Sequence, residues 1–142
     1  MPPRLVHYAT EAEYRRHYQT HCCRSVVRTF DGIRVFFPQR QFEHAFFESA
    51  GRRARDKSVF SRKRAERIDW ITAALQDSAA DLFVGWDRNK TQEDPNRRVC
   101  LAFGNYVVVI RLKKGGHSAT FITAFLADRS TVGKIRSNRR WT

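Results

Sequence analysis

Apolar residues recur along this chain in two rhythms, one near 3.6 residues and one of two, and the changes between them mark out its elements. Thr10-Glu11-Ala12-Glu13 has the form of a capping box, and Tyr14 and Tyr18 follow on one helical face with Arg15 and Arg16 off it. That predicts a helix from Thr10 that ends between His21 and Arg24. Two β-rich runs, Ser25–Phe30 and Ile33–Phe37, flank Asp31-Gly32, which predicts a hairpin, and Pro38 ends its second strand. Gln41–Ser49 reads as a short helix with Phe42, Ala45 and Phe46 on one face, and His44 and Phe47 on neighbouring faces. Gly51 closes it, and residues 52–57 form a polar, basic connector. Ser61 caps the longest predicted helix, Arg62–Ser78. Its stripe is Ile68, Ile71, Thr72 and Leu75, which Arg64 continues at the N-terminal end; Lys63, Arg67 and Trp70 lie opposite.

Beyond Ser78 the period changes to two. Leu82–Trp86 reads as a strand and residues 87–96 as a polar loop. Val99–Phe103 and Tyr106–Leu112 form a second hairpin around Gly104-Asn105, and Thr120–Leu126 is the last clear strand. On that strand, alternation places Phe121, Thr123 and Phe125 on one face. Residues 130–141 supply one helical turn and a basic tail. The order predicts an α+β fold of one domain over residues 1–142. Helices pack on a four-stranded antiparallel sheet, with an additional N-terminal helix and β-hairpin.

Charge narrows the function. The chain carries 27 Lys and Arg against 14 Asp and Glu, a net +13, and this excess attracts polyanions. Arg supplies most of it, and Arg pairs with phosphate bidentately and stacks on bases, which favours nucleic acid as the partner. No apolar run approaches the roughly 18 residues of a membrane span, and the first residues lack a signal-peptide core, so a cytoplasmic protein without a membrane partner is expected. The three cysteines, Cys22, Cys23 and Cys100, make a poor disulfide set and suit a reducing compartment. His17 and His21 share a helical face, but Cys22 and Cys23 rotate away from it by about 100° and 200°, so no metal or other cofactor is expected. Asp81, Asp87, Glu93 and Asp94 are scattered over loops and element ends, a poor set for two-metal catalysis.

Two segments carry candidate chemistry. Phe42-Glu43-His44-Ala45-Phe46-Phe47 places one His in an aromatic setting, and Phe121-Ile122-Thr123-Ala124-Phe125 does the same for one hydroxyl. A His able to move a proton, a hydroxyl able to hold a phosphate oxygen and many fixed cations are the parts of a metal-free ribonuclease. Each has a plainer reading. His44 is then a histidine at the edge of the core, and Thr123 an ordinary strand threonine.

The segments Phe42–Phe46, Phe60–Ile71, Tyr106–Ile110 and Phe121–Phe125 resemble the superfamily of small ribonucleases that groups barnase, EndoU, the colicin-type tRNA-cleaving domains and RelE-like toxins, above all its phage-associated branch. The resemblance covers residues 26–137 and leaves 1–25 as an N-terminal extension. It implies a helical part followed by a four-stranded sheet, and metal-independent cleavage of tRNA or mRNA to a 2′,3′-cyclic phosphate. His44 matches the helix-borne His, Thr123 the hydroxyl of the last strand, and Arg64 and Arg67 the basic positions of the second motif. Arg98, Arg111, Lys113 and Lys134 are the remaining RNA-binding candidates, and a second catalytic His has no match unless His117 serves. An acidic antitoxin or immunity protein is the protein partner implied. The rivals are a non-catalytic RNA-binding domain, and a phage structural or adaptor protein whose charge meets an acidic partner.

Overall fold

Thr10 opens α1 (Glu11–Tyr18) with both halves of the capping box: its side chain accepts from the Glu13 N–H, and the Glu13 carboxylate accepts from the Thr10 N–H. In the computed structural model, which describes residues 2–49 and 58–142, α1 runs into a π-helical stretch, Gln19–Cys23. Tyr14, Tyr18 and Cys22 are buried on its inner face. The segment before α1 is held by hydrogen bonds. The Val6 N–H donates to Glu66 O, Trp70 Nε1 to Pro3 O, and the Arg62 guanidinium to the Tyr8 and Ala9 carbonyls. The residues set apart as an extension thus supply part of the main core.

The fold is α+β, but its main sheet has six strands rather than four. These are β1 (Val27–Arg28), β2 (Arg34–Phe36), β5 (Asp81–Asp87), β6 (Gln92–Ala102), β7 (Tyr106–Leu112) and β8 (Ser118–Leu126), in the order β1-β2-β8-β7-β6-β5. The last four form the expected antiparallel meander. The Asp31-Gly32 hairpin joins it because β2 pairs in parallel with β8, Val35 opposite Ala119. Both residues are buried and face the helices, so the pairing buries apolar surface as well as backbone polar groups.

Both sheet faces are covered along the centre. On one side, Tyr14, Tyr18, Phe42, Phe46, Ile68 and Ile71 pack on Tyr106, Val108, Ile110 and Phe121. On the other, Phe83, Val99, Leu101, Val107 and Val109 form a second core closed by Ile135 of α5 (Arg129–Arg136). This explains why Tyr106–Ile110 is apolar without alternation, since all five residues are buried. Asp128 caps α5 by accepting from the Thr131 N–H, and the tail beyond α5 returns to β5, so residues 130–141 hold more structure than one helical turn.

Three other departures bear on function. The expected helix over residues 41–49 stops at Phe46, giving α2 (Gln41–Phe46), and Phe47–Glu48 become β3, paired with β4 (Val59–Phe60). The positions expected to close that helix and form the basic connector, Gly51 and residues 52–57, lie outside the described residues. The long helix divides into α3 (Arg62–Ala65) and α4 (Ile68–Leu75). At the break, the Val6 N–H donates to the Glu66 carbonyl, and the Arg67 carbonyl accepts from the Tyr106 hydroxyl as well as from the Trp70 N–H. Finally, residues 92–96, read as loop, belong to β6, a polar strand pairing with β5 past an irregularity at Val84/Gly85. A Cβ on Gly85 would lie 2.5 Å from Cγ of Arg97, so only glycine lets the Arg97 stem cross β5 there.

Candidate active site

β2 pairs with β8 only as far as Thr120, so the C-terminal half of β8 has no strand on that side. α2 lies alongside, and its Gln41 amide donates to the Ile122 carbonyl at 2.7 Å. His44 stands three residues after Gln41, on the same side of α2, and is exposed. It is not a histidine of the core. The packed positions of α2 are Phe42, Ala45 and Phe46.

Arg64 ties the far end of α2 to the sheet. Its Nη1 donates to the Ala45 carbonyl at 3.4 Å, its Nε pairs with Glu48 at 3.2 Å, and its Cζ lies 5.9 Å from the Phe125 ring. A recess of about 90 Å³ opens here, lined by Glu48, Lys63, Arg64, Arg67, Tyr106 and Phe125 among others. Arg67 donates to the Lys63 carbonyl and stacks on Trp70 at 5.1 Å, and its Nε is buried without a hydrogen-bond partner. Burial pushes the Tyr106 hydroxyl pKa up, so it stays protonated and donates to Arg67 O.

Thr123 is half-buried, and it shares the face expected with Phe125 but not with Phe121. Thr123 pairs with Val109 and Phe121 with Ile110, which leaves Ile122 as an extra residue. The bulge turns Phe121 into the helix-side core, while Ile122 and Phe125 pack against the second core. Thr123 shares its sheet face with Val109, not with Phe121.

The other candidates divide. Arg98 is 2% exposed, paired with Asp31 at 3.0 Å and lying near the rings of Phe30 and Trp141. That burial withdraws it from RNA and makes it a residue of the fold. Arg111 and Lys113 are exposed at the opposite end of β8 from Arg64. Lys134 is exposed on α5, across the sheet from α2.

A second polar cluster was not foreseen. His17 Nε2 lies 2.7 Å from Asp69 Oδ1 on α4, and its Nδ1 lies 2.9 Å from the Tyr8 hydroxyl. The His21 ring is 4.4 Å away, and a cavity of about 260 Å³ is lined by Tyr8, Glu13, Arg16, His17, Thr20 and His21. The visible signal was the His17/His21 spacing; Asp69 comes from 52 residues away. Burial pushes the Cys22 and Cys100 thiols up to about 12, which removes both as nucleophiles at neutral pH. Asp81, Glu93 and Asp94 each pair with an Arg. Among the described residues, no group of three His, Cys, Asp or Glu side chains could hold a metal, and no helix is long and apolar enough to cross a membrane.

No family model, curated protein or solved structure matches the chain.

Proposed function

We propose that this protein is a metal-independent RNA endonuclease of the toxin or phage-effector type, acting along the α2–β8 edge on tRNA or mRNA. The observation that carries this reading is His44, exposed on a helix that Gln41 fastens to β8 and Arg64 fastens to α3. His44 accepts the proton of a substrate 2′-OH, whose oxygen attacks the adjacent phosphorus. The bond to the 5′-oxygen breaks, that oxygen takes a proton from water, and a 2′,3′-cyclic phosphate remains. Arg64 and the Thr123 hydroxyl stabilise the charge that builds on the non-bridging oxygens. The positive charge gathers the substrate, and an acidic antitoxin or immunity protein would answer the same charge.

Cleavage is expected to survive EDTA, to leave the cyclic phosphate, and to stop when the 2′-OH at the cut site is replaced by hydrogen, with binding retained through the phosphates. Thr123→Val should lower kcat more than it raises KM. Chelator-sensitive cleavage, or cutting of the deoxy substrate, would overturn the mechanism.

A second reading puts proton transfer in the His17 cavity, where Asp69 orients one His and another lies beside it. His21 is exposed, so His21→Ala spares the fold. The α2–β8 reading expects that variant to cleave at the wild-type rate. A hundredfold loss would move the chemistry to α1.

A further inference from the structure

The register across four strands sets Phe36, Thr120, Arg111 and Arg97 side by side. Cross-strand partners share a face. The neighbouring row of Val35, Ala119 and Leu112 belongs to the helix-side core, so the Phe36 row is on the opposite face. The second core covers that face only farther along the strands, at Val109, Val99 and Phe83. At the Phe36 end it is open, with Phe36 41% exposed.

Two cations crowd that ring. Arg34 Cζ lies 4.7 Å and Lys113 Nζ 4.6 Å from its centroid. Arg28 pairs with Arg34 across β1 and β2. Among the described residues no carboxylate pairs with Arg28, Arg34 or Lys113, and Arg34 Nε is buried without a hydrogen-bond partner. Arg111 does have a carboxylate, Asp94. Each cation–π contact is worth about 0.5–1 kcal/mol at an exposed site. Bringing two like charges to one ring opposes that gain, and a bound anion would remove the conflict. An exposed ring beside the cations selects unpaired bases over a duplex, whose bases are stacked on one another.

We propose that this open end of the sheet is a second binding site for single-stranded RNA, with Arg34 and Lys113 holding phosphodiesters and Phe36 carrying a base. Its ligand class rests on the proposed function. Thr120 and Phe125 stand about 16 Å apart by the rise of a strand. A strand seated on Phe36 that follows β8 along this face reaches Phe125, beside which Arg64 lies, and the site extends the reach of the enzyme rather than supplying its chemistry.

The test is fluorescence anisotropy with a labelled 2′-O-methyl oligouridine of about twelve nucleotides, which is long enough to span the surface. Its blocked 2′-oxygens keep binding separate from cleavage. Phe36→Ala should weaken binding about tenfold, as the loss of one stacked base does. Arg34→Gln with Lys113→Gln should weaken it further and lower the slope of log affinity against log salt by about 1.4, for two single-strand phosphate contacts. Circular dichroism verifies that each variant is folded. Unchanged affinity and slope would overturn the proposal. So would equal binding of duplex RNA, or equal competition by polyglutamate, which would mark a site for an acidic protein. Strong binding by wild type with no cleavage of unmodified RNA would remove the endonuclease reading and leave this site standing.

Discussion

Alanine in place of His44 is expected to lower the single-turnover rate of RNA cleavage about 10²- to 10⁴-fold, the range of a general acid or base. Little else should change. His44 is exposed, and the packed face of α2 is made by Phe42, Ala45 and Phe46. The melting temperature and the affinity for a 2′-O-methyl RNA should therefore stay near those of the wild type. A quench-flow cleavage assay beside a thermal melt checks both halves. Wild-type cleavage by a folded variant would end the catalytic role. A melt lowered by many degrees would mean that His44 holds the fold and that its exposure was misleading.

Asp31→Ala should destabilise the protein by about 3 kcal/mol and lower its Tm by about 10 °C. The reason lies with its partner. Arg98 is 2% exposed, and the mutation leaves its guanidinium without its counter-ion beneath the Phe30 and Trp141 rings. Changing Arg98→Met in the same chain should restore much of the loss, since no buried charge then remains. Acid should act like the mutation. Burial by itself would raise the Asp31 pKa, but hydrogen bonds from Thr29 and Arg98 outweigh it and hold the pKa below its ordinary 3.8. Its contribution is therefore complete above that value and is lost as pH falls through the lower, folded one. Denaturant titrations at pH 7 and below pH 4 should show a narrower gap between wild type and Asp31→Ala in acid. An equal gap at both would mean the carboxylate charge is not what stabilises Arg98.

The elements written in local chemistry were legible: the Thr10 capping box, the Asp31-Gly32 hairpin, the Gly104 turn and the β7 run. What escaped was set from a distance. Nothing near Arg34 announces that β2 will pair with β8. The division between α3 and α4 is accommodated by a hydroxyl from β7. The bulge at Ile122 reverses the face of Phe121, and one inserted residue defeats any reading by alternation. Residues 92–96 are strand without apolar alternation because much of that segment faces water. Of the proposed site, His44 stands out by its aromatic setting and Arg64 by the resemblance, and helical spacing puts both beside an apolar face. Arg98 misled for the opposite reason: a charge at the head of the buried run Val99–Ala102 points inward with it. The orientation of His17 by Asp69 had no local sign at all.

β8 receives β2 on one edge and β7 on the other, and its Ile122 carbonyl receives Gln41. The hairpin and α2 precede it by more than half of the chain, and through that interval they have no sheet to join. Contacts so distant in sequence close late and slowly. The groove proposed to cut RNA thus cannot form until β8 has been made, and on that proposal a nascent chain would stay harmless to the RNA around it until β8 slides into place. A protein that captured the chain before that moment would have an inhibitor's effect without ever meeting a finished active site.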